Sequence, residues 1–378
     1  MIKFHFVALA VTILLCSCRH GGGRAADTGT NGVYAASRFE LEKSEGYTKL
    51  TVRDPWQNVR GTEMTWCLLP RDATIPEGFG EEQVIRVPVK RMICMSVTHL
   101  AMLRALDAAE ILVGISGPDL VYDSLILDAI VRGQLPDVGY EASLNKELIV
   151  KLNPELLMAY GVAAPASGQS AWLPATGVKV LYNADYLEDH PLARCEWIKL
   201  FGVLTGKESR ADSLYSEVSK AYRELTDLVK SSVQVRPEIL LGAPWEDVWY
   251  VSPANSYTGR LIEDAGGHYL FSDLSESNSV PFAVEAVFER ATKADVWINP
   301  GAAESLAAIA SADHRMTRLP VYARGAVWNN RKRMTPRGGN DYWESAVVRP
   351  DMLLKDIVSI LHPDLLPGYS QYYYTRLQ

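Results

Sequence analysis

One uninterrupted helical pattern between Lys207 and Val233 constrains the fold of this chain more than any other stretch. Neither Pro nor Gly occurs after Gly206 there. Apolar residues recur at spacings of three and four, at Ala211, Leu214, Tyr215, Val218, Tyr222, Leu225, Leu228 and Val229. About 25 residues that rise 1.5 Å each give a helix of roughly 37 Å, the width of a domain. The pattern predicts a rigid connection between two lobes, or else a long surface helix within one domain.

Strand and helix patterns alternate on both sides of this helix. Before it, the residues from Phe39 to Trp66 predict strands with a turn at Glu45-Gly46, and further strands are predicted from Val84 to Val89, Leu112 to Ile115, Leu156 to Tyr160 and Val178 to Tyr182. After it, a strand is predicted from Glu238 to Gly242, with helices from Tyr257 to Ala265 and Leu306 to Ala312. Such alternation is typical of parallel βαβ units covered on both faces, so the predicted fold class is α/β.

The N-terminus has the pattern of a secreted lipoprotein. A short apolar run after Lys3 is too short to span a membrane and is followed by Leu15-Cys16-Ser17-Cys18, which resembles a bacterial lipobox. We predict a signal peptide over residues 1–17, lipidation at Cys18 and a flexible Gly-rich tether over residues 18–37. A plain secretory signal is the alternative. The predicted location is periplasmic, with the lipid anchor in the cell membrane or the outer membrane.

The net charge and the cysteine content argue against a nucleic-acid-binding protein and against a fold held by disulfides. The formal net charge of −7 argues against a nucleic-acid partner. Only Cys67, Cys94 and Cys195 remain after Cys18, and three thiols do not make a disulfide framework. Cys67 and Cys94 both lie in strand-like runs and could pair, but buried free thiols are the favoured interpretation. About 340 mature residues are enough for two domains.

Six segments, taken in order and spacing, resemble the substrate-binding lipoproteins of ABC importers for ferric siderophores, cobalamin and haem. The resemblance covers the chain from about Val87 to Leu366, and its segments are VKRMICMSVTHLAMLRAL with ILVGISG, LPDVGYEASLNKELIVKLNPELLMAY, EWIKLFGVLTGKESRADSLY, YTGRLIEDAGGHYLF, VEAVFERATKADVWIN and VRPDMLLKDIVSILHPDLLP.

The resemblance implies two Rossmann-like α/β lobes joined by one long helix, as in a class III periplasmic binding protein. It implies an N-terminal lobe over residues 38–204 with extra N-terminal strands, an interlobe helix over 205–233 and a C-terminal lobe over 234–378. The implied ligand is a ferric siderophore, with cobalamin or haem as alternatives, and no cofactor or resident metal is expected. The implied partner is an ABC permease of the FecCD/BtuC type with its ATPase. The binding protein itself is expected to be a monomer.

The resemblance also implies one permease-docking glutamate on each lobe. Glu147, seven residues before Pro154, matches the N-lobe position. Glu285 is assigned to the C-lobe, with Glu289 as its competitor. Exposed carboxylates far apart would fix orientation and speed encounter more than they add affinity. Without the resemblance, the simplest interpretation of both glutamates is that they are solvated charges on helices.

A cleft for a large, partly flat chelate needs aromatic surfaces and a few charged groups. In the C-lobe two loops supply them, and their candidates are Trp245, Trp249, Tyr250, Tyr257, Arg333, Arg337, Tyr342 and Trp343. Arg333 or Arg337 could pair with carboxylate or catecholate oxygens. The N-lobe candidates follow predicted strands and are Ser96, which can also cap a helix, Thr98, Tyr140 and Trp172. Each aromatic has the alternative of packing in the core or at its rim.

Four other functions are weighed against this interpretation. A bare metal-ion carrier would need converging His and carboxylate ligands, and the histidines show no paired spacing. Haem needs only one axial ligand, for which Tyr257, Tyr342 or His99 would serve, although His99 is expected to be a capping or surface residue. No nucleophile elbow, P-loop or metalloprotease motif points to an enzyme. A surface lipoprotein that captures ligand without a permease remains open.

Overall fold

The computed structural model describes residues 36–140, 143–161, 173–276 and 278–378. The predicted signal peptide, the lipidation site Cys18 and nearly all of the tether lie outside the described residues, as does Trp172. In the part of the chain that the structure describes, no helix is long and apolar enough to cross a membrane.

A four-stranded sheet precedes the first lobe, where extra N-terminal strands were predicted. Its strands, in spatial order, are β1 (Phe39–Ser44), β2 (Tyr47–Arg53), β3 (Glu63–Pro70) and β4 (Val84–Val87), with only the last pair parallel. The Glu188 carboxylate anchors the start of this sheet to the lobe. It accepts hydrogen bonds from the backbone N–H groups of Ser37 and Arg38, both at 3.0 Å, and from the indole N–H of Trp197 at 3.1 Å.

The N-lobe is built on a parallel sheet of four strands. Its elements in chain order are β5 (Met92–Cys94), α1 (Val97–Ala105), β6 (Leu112–Ile115), α2 (Ser124–Val131), α3 (Lys146–Leu152), β7 (Leu156–Ala159), β8 (Lys179–Tyr182), α4 (Pro191–Glu196) and α5 (Ile198–Thr205). The strands lie in the order β6-β5-β7-β8. They are short and almost wholly buried, as expected for strands covered on both faces.

The C-lobe repeats this plan. After the interlobe helix α6 (Glu208–Ser232), its elements are β9 (Glu238–Leu241), β10 (Val248–Val251), α7 (Tyr257–Asp264), β11 (His268–Tyr269), β12 (Val280–Ala283), α8 (Val284–Ala291), β13 (Val296–Ile298), α9 (Leu306–Ala312), α10 (Pro320–Ala323), β14 (Val327–Asn329), α11 (Asp341–Glu344), α12 (Pro350–Leu361) and β15 (Thr375–Arg376). The main sheet has the order β11-β9-β13-β14-β15, and β10 pairs with β12 separately.

The two main sheets share one topology. In the N-lobe sheet, β6 lies on one side of β5, and β7 and β8 follow in order on the other side. In the C-lobe sheet, β11 lies on one side of β9, and β13 and β14 follow in order on the other side. Helix α3 precedes the third strand of the N-lobe, and α8 precedes the third strand of the C-lobe. The predicted correspondence between these two helix–strand units is therefore present in the fold.

The predicted connection between the lobes is one continuous helix of 25 residues. The helix departs from the predicted apolar pattern at three positions. Ser219 and Thr226 are buried because their hydroxyls donate to the carbonyls of Ser216 and Tyr222, at 3.2 and 3.0 Å, whereas Leu228 points to solvent. A hydroxyl that donates to a carbonyl of the preceding helical turn can be buried because its hydrogen bond is satisfied.

The three cysteines of the described chain are buried free thiols, as the sequence favoured. Cys67 lies in β3 of the N-terminal sheet, and Cys94 lies in β5 of the lobe sheet. Burial raises the pKa of Cys94 and Cys195 well above the usual range, so these thiols are kept as small apolar groups.

Candidate ligand cleft between the lobes

Polar groups from both lobes meet where the N-lobe strands end. Asp185 follows β8 and binds Arg194 of α4, with Oδ2 and Nη2 2.9 Å apart. The Arg194 guanidinium lies over the ring of Tyr257 in the C-lobe, 4.9 Å from its centre. We call Thr98, Asp185, Arg194, Tyr257 and Tyr342 the interlobe polar cluster. It brings together three of the predicted cleft residues, Thr98, Tyr257 and Tyr342.

Burial dominates the electrostatics of this cluster. Burial raises the pKa of Asp185, while the charge of Arg194 and a hydrogen bond from Thr98 oppose the rise. Burial also raises the pKa of Tyr257 above its usual range, so the phenol stays protonated. Two buried polar atoms, Nε of Arg194 and Nδ2 of Asn183, have no partner among the described residues. Orphaned donors of this kind suit a ligand or bound water.

Tyr342 joins this cluster to the C-terminal aromatic residues. It is buried, and its ring meets those of Trp343 and Tyr374 edge-on, at 4.7 and 5.8 Å. Burial raises its pKa, and hydrogen bonds with Tyr374 and Asn299 partly oppose this effect. The tail that carries Tyr374 is held by Asp356, a buried carboxylate that accepts backbone N–H bonds from Tyr372, Tyr373 and Tyr374.

Beside this cluster lies a cavity of about 680 Å³ with walls from both lobes. Arg333, a predicted ligand contact, projects into it between two rings. Its guanidinium carbon lies 5.0 Å from the centre of the Tyr122 ring and 4.1 Å from that of Tyr372, and its Nε donates to Asp341 at 2.6 Å. Arg104 forms a second ion pair in the wall with Asp123, at 2.9 Å. The cavity thus combines aromatic surface with fixed charge.

Glu344 ties the two lobes together at this cavity. Its carboxylate accepts hydrogen bonds from the backbone N–H groups of Tyr122 at 2.6 Å and Asp123 at 2.9 Å. Burial raises the pKa of Glu344 to about 7, despite the two N–H bonds that favour the charged form. Sequence reasoning missed Glu344. No sequence pattern predicts that a glutamate will be buried when its hydrogen-bond donors are backbone N–H groups more than two hundred positions away.

Four predicted cleft aromatics are exposed, each by at least 49%, and they are Tyr140, Trp245, Tyr250 and Trp343. Trp249 is different. It is 1% exposed, packs 6.2 Å from the Trp297 ring and donates its indole N–H to the Leu241 carbonyl at 3.0 Å. The prediction that Trp249 lines the cleft is therefore wrong in this structure. Side chains alternate along β10, so Trp249 faces the core while Tyr250 faces outward.

At the N-lobe strand ends, Ser96 caps α1 as predicted, with its Oγ accepting the Thr98 N–H at 3.2 Å. The expectation that His99 is a capping or surface residue is wrong. His99 is fully buried beside Phe201, with ring centres 6.0 Å apart, and within the described parts of the chain neither ring nitrogen meets a hydrogen-bond partner. Burial lowers the pKa of His99 to about 3, so it is a neutral core residue.

The two docking candidates occupy matching positions in the two lobes. Glu147 is the second residue of α3, and Glu285 is the second residue of α8. Both are exposed. Glu285 pairs with Arg315 at 3.0 Å, and Arg315 also contacts Asp247 and Asp313. The loop residue Arg337 is exposed, and the competitor Glu289 lies one turn further along α8.

Two lobes of one topology, a single connecting helix and a site between them define a class III periplasmic binding protein. The chain belongs to this family: the sequence model described as periplasmic binding protein matches residues 93–312. Its members are transport-related binders rather than enzymes. Among the described residues, no group of three or more His, Cys, Asp or Glu side chains is placed to hold a metal ion.

Known proteins are similar along most of the chain. An uncharacterised lipoprotein of Methanocaldococcus jannaschii is 25% identical over 340 residues, which cover 85% of this chain and 79% of that protein. A periplasmic haem-binding protein of Pseudomonas aeruginosa has a similar structure, with a TM-score of 0.58 at 19% identity, covering 77% of this chain and 98% of that one. An ABC-type Fe3+-hydroxamate transport protein of Saccharomonospora viridis gives 0.55 at 17% identity, covering 82% and 98%.

Proposed function

We propose that this protein captures a ferric siderophore, or a related metal chelate, between its lobes and delivers it to an ABC permease. The observation that carries the proposal is the cavity with walls from both lobes, in which Arg333 lies between Tyr122 and Tyr372. A guanidinium held between rings offers charge to anionic oxygens and flat surface to an organic ligand. The similarity to a periplasmic haem-binding protein and to an Fe3+-hydroxamate transport protein supports this ligand class.

Two alternatives follow from the same fold. Cobalamin or haem would use the exposed aromatics at the strand ends, and the haem-binding similarity favours testing haem directly. A more remote alternative is a surface lipoprotein that captures ligand without a permease. We infer attachment outside the cytoplasm through a lipid on Cys18, which the similarity to a lipoprotein supports.

The ligand test uses the colour of the probes. Purified protein is incubated with ferrioxamine, haemin or cyanocobalamin, and unbound probe is removed by gel filtration. We expect one probe to co-elute with a shifted absorption band. Arg333→Gln should weaken binding of haemin, whose propionates make it the anionic probe of the three, about tenfold or more, since one charge-assisted contact is lost. Lys355→Gln, a charge change on α12 outside the cavity, is the matched control. Retention of no probe by the unaltered protein would refute this ligand class.

For delivery, we propose that Glu147 and Glu285 dock on basic residues of the permease, one from each lobe. Their identical place in α3 and α8 supports Glu285 over Glu289, because docking residues related by the lobe symmetry should occupy equivalent helix positions. Glu147→Arg combined with Glu285→Arg should keep ligand affinity and abolish uptake in cells. Glu285→Arg alone should impair uptake, Glu289→Arg alone is the control, and equal loss of uptake in these two single variants would contradict the assignment of Glu285.

We also propose that ligand capture involves only a small closure of the lobes. A continuous helix of 25 residues resists hinging more than extended crossover segments would. Paired spin labels on Val131→Cys in α2 and Lys293→Cys after α8, both exposed and neither a cleft candidate, should show a small change in distance when ligand binds. A large ligand-dependent change would refute the helix as the element that limits the motion.

A further inference from the structure

The loop between β2 and β3, residues 54–62, projects from the N-terminal sheet on a firmly closed base. The Asp54 N–H donates to the Thr62 carbonyl at 2.8 Å, and the Thr62 N–H donates to Oδ1 of Asp54 at 2.9 Å. Arg38 adds a bond from Nη1 to the Asp54 carbonyl at 3.0 Å. Because both ends are joined, the direction in which the loop points is fixed by the sheet.

Trp56 anchors one side of this loop at the carboxyl end of the N-lobe sheet. It is buried and bridges to Gly161, two residues after β7, and its ring lies 5.3 Å from Tyr182, the last residue of β8. A Cβ on Gly161 would lie 2.2 Å from the Trp56 ring, so this close approach requires glycine. Ligands of α/β sheets bind outside the carboxyl ends of the strands. The 54–62 loop therefore stands on the ligand side of the N-lobe.

The tip of the loop reaches the other lobe. Oδ1 of Asn58 accepts a hydrogen bond from Nδ2 of Asn278 at 2.9 Å, and Asn278 lies just before β12 of the C-lobe. Gln57, Asn58 and Arg60 are all exposed at this tip. A loop of the N-terminal sheet thus contacts the strand ends of the N-lobe and the segment before β12 of the C-lobe.

A second crossing lies at the opposite edge of the N-lobe sheet. There the 334–340 loop of the C-lobe passes so close to the Val121 carbonyl that a Cβ on Gly339 would lie 2.1 Å from it. Val121 follows β6, whereas Trp56 contacts Tyr182 at the end of β8, and β6 and β8 are the two outer strands of the order β6-β5-β7-β8. The space between the lobes is therefore bounded at both edges.

We propose that the 54–62 loop is a wall of the ligand cleft, closing its β8 edge and contacting the bound chelate through Gln57, Asn58 and Arg60. The inference rests on the proposed function and adds a specificity element that the N-terminal sheet supplies. Two amides and a guanidinium offer hydrogen bonds suited to the oxygen-rich periphery of a chelate. The wall limits the size of ligand that fits and slows its release.

The first experiment tests the contact between Asn58 and Asn278 in the absence of ligand. Full-length protein carrying Asn58→Cys and Asn278→Cys should form a cross-link with mild oxidant or a short bis-thiol reagent, identified by mass spectrometry of the joined peptides. The three native thiols of the described chain are buried and stay unmodified. Glu45→Cys with Asn278→Cys is the control, because Glu45 lies in the turn at the far end of the sheet, between β1 and β2. Absence of the 58–278 cross-link would overturn the proposal.

The second experiment measures the effect of the wall on a bound probe. Residues 57–60 are replaced by Gly-Gly, which keeps Trp56, and Asn58→Ala serves as a milder variant. For whichever of ferrioxamine, haemin and cyanocobalamin is retained, we expect tenfold or faster release from the shortened loop and about threefold from Asn58→Ala. Release within twofold of the unaltered protein, with unchanged unfolding temperature, would overturn the wall. Failure of every probe to bind would instead refute the ligand class, and the cross-link would still decide the crossing.

Discussion

Replacing Glu344 by Gln tests whether one buried carboxylate controls how the joined lobes respond to pH. Glu344 is 2% exposed and accepts two backbone N–H bonds from the other lobe. Burial raises its pKa from 4.5 to about 7. The folded protein therefore holds a proton that the unfolded chain loses between pH 4.5 and 7. The stability that this proton contributes is present below pH 4.5 and is lost as the pH rises through 7.

The size of the effect follows from the pKa change. A rise from 4.5 to about 7 corresponds to about 3 kcal/mol of differential stability. Gln keeps the shape of the protonated acid and does not titrate. The difference in free energy of unfolding between Glu344→Gln and the unaltered protein should therefore move by about 3 kcal/mol in favour of Gln between pH 4.5 and 8.

Urea unfolding followed by tryptophan fluorescence, at four values of pH across this range, measures that difference directly. Other titrating groups are common to both proteins, so their contributions cancel in the comparison. Glu246→Gln, at an exposed position between β9 and β10, is a control that should run parallel to the unaltered protein. Parallel curves for Glu344→Gln as well would refute the reasoning, because they would show that Glu344 is ionised in both states at these pH values.

Three further substitutions test other contacts. Gly339→Ala should destabilise the protein by about 1–3 kcal/mol in urea unfolding, because the added methyl group displaces the loop from the Val121 carbonyl. His99→Leu should be neutral or stabilising at pH 7, and should gain about 2 kcal/mol more at pH 5, where the unaltered protein loses stability because His99 is held neutral with a pKa of about 3. Asp356→Ala should cost about 3–5 kcal/mol by calorimetry, since it leaves buried donors unpaired on Tyr372, Tyr373 and Tyr374.

The features that follow from short-range periodicity were predictable from the sequence. The pattern from Lys207 to Val233 gave the interlobe helix to within one residue at each end. The alternating strands and helices gave two α/β lobes. These features depend on residues three, four or two positions apart, which a single sequence displays.

The misassigned positions depended on elements that the sequence pattern did not reveal. Residues 248–251 were interpreted as a loop rich in aromatics, but they form strand β10, paired with β12. In a strand, neighbouring side chains face opposite ways, so Trp249 is buried while Tyr250 is exposed. His99 was misassigned for a related reason. Its position in α1 faces α5, and this packing partner is about a hundred residues away.

Three buried acids could not be predicted at all. Glu188, Glu344 and Asp356 each accept hydrogen bonds from backbone N–H groups of a distant segment. Every residue except proline has a backbone N–H group, so residue types do not show which ones will bind a carboxylate. Glu188 fixes the N-terminal sheet, Glu344 joins the lobes and Asp356 holds the C-terminal tail. A carboxylate with two or more N–H donors can stay buried where an isolated charge would not.

These ties bear on how far the lobes can separate. Helix α6 connects them through the chain, Glu344 connects them on the β6 side and Asn58 connects them on the β8 side. Asn58 contributes a single exposed hydrogen bond between neutral groups, whereas Glu344 holds two bonds from a buried carboxylate, so the β8 side is the weaker tie. A ligand that enters between the lobes should therefore displace the 54–62 loop before it disturbs the Glu344 contact. Opening at that edge needs little rotation about α6, so a small closure of the lobes is compatible with release of the Asn58–Asn278 contact.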